Sequence, residues 1–286
     1  MAIENRKGYV TFADILGWKG IWQTLGKEEP IEKLLRIHKN MKECVDKVIS
    51  KYCEYLFKNE MTPFFDQEGK IVTNAGYEKM VSSYINGKIN QEGVSAEERK
   101  QIREDEKRIK EELEKFRVDI SIELISDTFV ITSSSLNFKY ETLLHTFMAQ
   151  NIVVMCLQEG LLVRGATSYG DYYKEKLIFV GPAIDDAASW HELGEEIGIY
   201  FTPKAMLLLE NKQIYADDVK MDNLKLTEII KKATPELKVN KFETYMVDWS
   251  SVGTEYASIA LDYDTILPGV HKKIMYSKNR LDKFQK

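Results

Sequence analysis

The chain has 286 residues, of which 44% are hydrophobic and 30% charged, and a formal net charge of −5 at pH 7. This composition is that of a soluble globular protein with a sizeable core, arranged as one large domain or two small ones, and the acidic balance offers no general attraction to nucleic acid or to an anionic membrane surface. No apolar run approaches the ~20 residues of a membrane span, the first residues carry no apolar signal region, and Cys44, Cys53 and Cys156 have neither metal nor redox spacing; together these predict a cytoplasmic protein with buried thiols.

The first element is a strand over residues 10–18 that ends on Asp14 and turns at Gly17. Side chains alternate along a strand, so Phe12 and Asp14 share one face while Ala13 and Ile15 share the other. An Asp closing an apolar strand must meet water, a metal or a cation, because a buried unpaired carboxylate is costly. The turn beyond it reads either as a solvated cap or as a cluster of backbone N–H groups that seats phosphate. Residues 20–30 connect to a helix over Ile31–Phe57, marked by an apolar stripe; His38 on it has no partner at metal spacing. Residues 61–93 are mixed and turn-rich. Ser95 then opens a capping box, and 97–116 follows as a charged helix with a thin stripe at Ile102, Ile109, Leu113 and Phe116, which is either a solvated helix or a partner-binding arm.

Residues 119–132 read as two strands hinged at Ser126-Asp127, with β-branched residues on both sides. A second carboxylate thus stands at a strand tip. An apolar helix over 138–159 follows, ending at Gly160 as a C-cap and carrying His145 as a packing residue. Residues 161–170 read as a strand into a turn, 176–180 as a short strand, and Pro182 starts a helix as an N1 proline. A strand at 198–202, a helix from about Pro203, an amphipathic stretch around 224–232, a strand near 242–247 and a basic helical end after Pro268 complete the chain. The order β-α-β-β-α-β predicts an α+β, ferredoxin-like core. Two Asp residues from strand ends beside a phosphate-seating turn are the ligand set of a two-metal phosphoryl-transfer site, since Mg²⁺ takes one or two carboxylates plus substrate phosphates.

Four stretches, FADILGW, ISDTFVI, LLVRGATSYG and FVGPAIDDAASW, resemble in that order the signature blocks of the class III nucleotide cyclases, and in particular the bacterial pyrimidine cyclases of the Pycsar antiphage system. The resemblance covers about residues 8–202. It implies a single cyclase domain over 1–286, interrupted by a charged helical insertion at 58–117 and continued by a C-terminal extension at 203–286. By resemblance, Asp14, Asp127 and the backbone carbonyl of Ile15 hold two divalent cations, Mn²⁺ or Mg²⁺. Arg164 matches a triphosphate contact, its other reading being a structural ion pair, and Lys204 is a further candidate that no motif places.

The chain departs from the family at two places. Where purine cyclases carry an Asn and an Arg after Gly-Pro, this chain has Asp185 and Ser189, which bring no positive charge. The adenine-selecting pair corresponds approximately to Glu123 and Ile178. Ile178 cannot accept a hydrogen bond from an amino group, while Glu123 is either a base reader or an exposed strand residue. Phe12 packs either on the nucleotide or in the core. The resemblance further implies a homodimer with composite active sites, UTP or CTP as substrate with UTP slightly favoured, and a cyclic product read by a separate effector; no direct binding to nucleic acid or membrane is expected. The alternatives are a purine cyclase, or a catalytically dead domain that binds a nucleotide or a partner. A diguanylate cyclase is disfavoured because Ile125-Ser126-Asp127-Thr128-Phe129 stands where its glycine-rich turn belongs.

Overall fold

The computed structural model describes residues 5–18, 28–59, 95–97, 99–100, 103–104, 117–214, 219–239, 241–250, 274 and 276–277. They form, in chain order, β1 (Asn5–Ile15), α1 (Glu28–Asn59), β2 (Val118–Ile125), β3 (Thr128–Ser135), α2 (Phe138–Gln158), β4 (Val163–Glu175), β5 (Ile178–Val180) and α3 (Pro182–His191). They continue with β6 (Gly198–Phe201), α4 (Pro203–Asn211), β7 (Lys220–Met221), β8 (Leu224–Lys225), α5 (Leu226–Ile229), β9 (Ile230–Ala233) and β10 (Thr244–Val247). The fold is mixed α+β. The main sheet runs β2-β3-β1-β4-β6-β10-β9, with β5 paired to β4. β1 is antiparallel to both β3 and β4, so the β-α-β-β-α-β order closes into the ferredoxin-like arrangement; the β4–β6 pair is parallel.

Two compact units are distinguished, one comprising Met1–Val45, Asp119–Ser134 and Phe138–Lys286, the other Asp46–Val118 and Ser135–Asn137. In the first, the sheet carries a helix on each face. Odd-numbered β1 residues meet α2, whose Leu144, Met148, Ile152 and Val153 are fully buried. Even-numbered residues meet α3, where Val10, Tyr172, Ala183, Ile184 and Ala187 form one cluster. A helix as apolar around its whole girth as α2 is stable only with protein on most sides. Gly160 ends it with φ 71, and Leu161 N–H reaches back to Cys156 O at 2.8 Å, the expected left-handed cap. Cys53 and Cys156 are buried, whereas Cys44 is only half-buried.

In the second unit, Val48, Tyr52, Cys53 and Leu56 of α1 are buried. Ser135 Oγ donates to Arg117 O at 2.6 Å and accepts from Asn137 N–H at 2.9 Å, pinning the end of β3. The expected turn-rich stretch 61–93 and most of the charged helix 97–116 lie outside the described residues, as does the end after Pro268 apart from Ile274, Tyr276 and Ser277, which are helical. Among residues 95–104 those described are exposed, and Arg99 N–H bonds Ser95 O at 3.0 Å, one helical turn from the predicted start. The stretch 224–232 is not one element. It divides into β8, α5 and β9, because Ile230–Ala233 pairs with β10 at the sheet edge, a tertiary contact to which local periodicity is blind.

Candidate active site

The site grows out of the last turn of β1. Asp14 stands opposite Thr128 on β3 and Arg164 on β4, and residues directly opposite in antiparallel pairs present their side chains to the same face. Thr128 Oγ1 accordingly donates to Asp14 Oδ1 at 3.2 Å, and Arg164 Nη2 lies 3.5 Å from Asp14 Oδ2. β1 and β4 can approach this closely because residue 165 is glycine: a Cβ there would stand 2.4 Å from Phe12 O. Asp127 comes to the same place through the β2–β3 turn, where Ser126 adopts φ 59 and Asp127 O accepts from Ile15 N–H at 3.1 Å.

Asp14 titrates above the ordinary carboxylate range. Burial is the largest cause and the charge of Asp127 the next, with Arg164, His191 and the Thr128 hydroxyl opposing them. A carboxyl pushed toward its neutral form by burial and by a second carboxylate beside it is one whose charge a bound cation relieves. Among the described residues no group of three or more His, Cys, Asp or Glu side chains gathers as a metal site. A pair of carboxylates with the Ile15 carbonyl nevertheless suits Mg²⁺ or Mn²⁺, which complete their shells with substrate oxygens and water.

Arg164 also donates through Nη1 to Glu192 O and Gly194 O, each at 3.1 Å, while its Nε is buried without a hydrogen-bond partner. Of its two expected readings, these contacts are those of the structural ion pair: it pairs with Asp14 and is held by the loop after α3. His191, which the sequence motifs do not single out, joins the same cluster. It is the last residue of α3, its Nδ1 lies 2.6 Å from Ala188 O, and its ring lies 5.7 Å from that of Phe12. It stands one residue past the FVGPAIDDAASW block, and only the docking of α3 on the sheet brings it to Phe12.

The turn after β1 differs from a phosphate seat in one respect. Its first two N–H groups are already engaged, Ile15 with Asp127 O and Leu16 with Leu162 O at 2.7 Å, because the chain keeps sheet-like pairing to the end of the strand. Phe12 is half-buried against the Val10–Ala187 cluster, which is core packing, one of its two expected roles. Glu123 is not a bare strand residue. Ser121 shares a hydrogen bond of 2.7 Å with Thr132, whose partner Val10 is on the Asp14 face, so Glu123, two residues on, faces that side too. Its carboxylate pairs with Lys174 Nζ at 3.1 Å and Lys42 Nζ at 3.8 Å, and Lys174 also donates to Ser121.

Ile178 is 58% exposed on β5, flanked by exposed Leu177 and Val180. Asp185 and Ser189 are exposed on α3, one turn apart; neither is among the groups whose charge or hydrogen bonds act on Asp14. Lys204 is placed by Gly170, whose added Cβ would lie 3.0 Å from its Nζ. Gly170 is six residues along β4 from Arg164, about 20 Å at ~3.3 Å per residue, so Lys204 is no part of this site.

No known family pattern matches the sequence, and no curated protein matches it either. Among solved structures, one bacterial light-regulated adenylyl cyclase is similar at a TM-score of 0.39 and 11% identity, the match covering 87% of this chain and 54% of that one. A second structure of a bacterial light-regulated adenylyl cyclase gives a TM-score of 0.37 and 11% identity, covering 90% of this chain and 99% of that one. The chain thus spans about half the length of the first.

Among the described residues no helix is long and apolar enough to cross a membrane.

Proposed function

We propose that the protein is a nucleotidyl cyclase that converts a pyrimidine nucleoside triphosphate, UTP slightly before CTP, into its 3′,5′-cyclic monophosphate and pyrophosphate. The observation that carries this reading is the meeting of Asp14 and Asp127, more than a hundred residues apart, beside Arg164 at the end of β1. In the reaction the ribose 3′-oxygen attacks the α-phosphorus of the same nucleotide. One O–P bond forms, the bond to the pyrophosphate leaving group breaks, and the 3′-hydroxyl proton is lost. Divalent cations, when bound, supply charge neutralisation for the triphosphate and acidify the 3′-hydroxyl. Asp14, Asp127 and the Ile15 carbonyl would hold them, Thr128 orients Asp14 through Oδ1, and Arg164 adds a fixed positive charge.

At the base end, Glu123 beside Lys174 offers an acceptor and a donor that the exocyclic amine or a ring nitrogen of a base can use, and apolar Ile178 provides no acceptor at the position where the adenine-selecting pair of the purine cyclases has one. Asp185 and Ser189 are exposed to solvent, which suits a homodimer in which each α3 serves the partner's metal carboxylates. The cyclic nucleotide would then act as a cytoplasmic antiphage signal on a separate effector. The lack of a cation at Ser189 favours one second reading, a domain that binds nucleotide without turnover. Incubation with each of the four ribonucleoside triphosphates and Mn²⁺, with product separation, tests both. Cyclic UMP or CMP is the expected product; cyclic AMP alone would overturn the base assignment, and no product with any triphosphate would favour the binder.

A further inference from the structure

Resting on the cyclase reading for its cation, we infer that Arg164 competes with a divalent cation for Asp14: the guanidinium engages the carboxylate oxygen that the cation needs and must swing off it as the cation binds. Both oxygens of Asp14 have partners within the chain, Oδ1 in Thr128 Oγ1 at 3.2 Å and Oδ2 in Arg164 Nη2 at 3.5 Å. Thr128 is neutral, whereas Arg164 is charged at any working pH, so only the second contact opposes a further cation. A cation about 2.1 Å from Oδ2 would stand within about 5.6 Å of Nη2 in any direction, the sum of that distance and the 3.5 Å contact. The side chains of Arg164 and Asp14 are only 12% and 20% exposed, so water screens the repulsion incompletely.

The guanidinium can clear Oδ2 without leaving its seat. Nη1 is anchored by Glu192 O and Gly194 O, each at 3.1 Å, and the 3.5 Å contact to Asp14 is the longest of the three, hence the first to open. Nε is buried without a hydrogen-bond partner. The arrangement paired with Asp14 therefore leaves one donor unsatisfied, and departing from it forfeits less than leaving a fully bonded one. A pivot about Nη1 gives up the ion pair and keeps Arg164 tied to the loop after α3. Asp14 exchanges a monovalent partner for a divalent one while Thr128 holds its other oxygen.

The test measures Mn²⁺ binding to the full chain without nucleotide, from the free Mn²⁺ signal in electron paramagnetic resonance, for the parent, Arg164→Met and Lys204→Met. An opposite charge at this range biases a carboxylate by roughly tenfold or more, so Arg164→Met is expected to bind Mn²⁺ about tenfold more tightly. Lys204→Met removes the same charge outside the site and should match the parent. Equal or weaker binding by Arg164→Met overturns the inference, and so does an equal gain in Lys204→Met, which would reflect net charge alone. A crystal structure of the Mn²⁺-loaded parent checks the movement independently of any variant: the Nη2–Oδ2 pair should be open with both Nη1 bonds kept, and a cation on Asp14 beside an intact pair overturns the inference. Tighter Mn²⁺ binding by Arg164→Met in a protein whose parent cyclises no triphosphate sinks the cyclase reading and leaves the competition standing. Cyclisation by the parent without that gain does the reverse.

Discussion

Asp14 concentrates opposing demands in one side chain. Burial and Asp127 push its carboxyl toward the neutral form while Arg164, His191 and Thr128 pull it back, so without a cation its charge costs the fold free energy. Replacing it by Asn removes that charge and keeps the acceptor for Thr128. Metal-free Asp14→Asn is therefore expected to melt no lower than the parent in calorimetric scans, while losing Mn²⁺-dependent activity by more than the ~10–100-fold that removal of a mere supporting residue costs. A variant that melted well below the parent would show that the Arg164 ion pair, not repulsion from Asp127, dominates. The importance of Asp14 was legible because an apolar strand ending on a carboxylate needs a partner. The place of His191 was not: nothing in its local sequence says that the end of α3 folds back onto Phe12.

The α2–β1 seam shows how an element can carry buried polar groups without a role in chemistry. Glu141 Oε1 accepts from Tyr9 N–H at 3.2 Å and from Ser133 Oγ at 2.9 Å, taking over where the β1–β3 ladder stops at Val10 and Thr132. One helical turn on, His145 Nε2 lies 2.7 Å from Thr11 Oγ1, which in turn lies 2.7 Å from Thr167 Oγ1. Glu141 Oε2, His145 Nδ1 and Thr146 Oγ1 are buried without hydrogen-bond partners. Burial raises Glu141 from 4.5 to about 8 and lowers His145 from 6.5 to about 3, so both are uncharged near neutrality. Where the folded chain binds the extra proton, as at Glu141, stability is lost as pH rises from about 4.5 through about 8; where it binds fewer, as at His145, stability is lost as pH falls below 6.5. The two slopes oppose each other between 4.5 and 6.5, which predicts a plateau there in the melting temperature and a decline on either side. Glu141→Gln, which mimics the protonated acid, should flatten the alkaline limb by several degrees and leave the acid limb in place. A persisting alkaline limb would assign the loss to other groups.

For the whole molecule, the decisive question is how residues of α3 that point to solvent reach an active site. Asp185 and Ser189 share an exposed face, and Leu177, Ile178 and Val180 on the β4–β5 hairpin are all more than half exposed, an arrangement that a second copy would cover. If the sites are composite, mixing inactive Asp14→Asn with inactive Asp185→Ala protein places both changes in one site of each heterodimer and leaves the other intact. Random exchange should then restore about a quarter of the parent activity, measured as cyclic nucleotide formed. No recovery after confirmed subunit exchange would rule out shared sites.

What the amino-acid sequence determined by itself is local in origin. Alternation and a terminal glycine marked the strand ends, the Pro182 start and Gly160 stop marked helices, and from these the β-α-β-β-α-β order followed, because each depends on neighbours a few residues away. The resemblance of four short blocks then pointed to Asp14 and Asp127 together. Only the tertiary structure decided that Ile15 and Leu16 spend their N–H groups on the sheet, that Glu123 is paired with Lys174, that Lys204 sits far along β4, and that His191 joins the carboxylates. Each of these depends on strand register and helix docking, which are set by long-range burial and leave no periodic trace in the residues that they bring together.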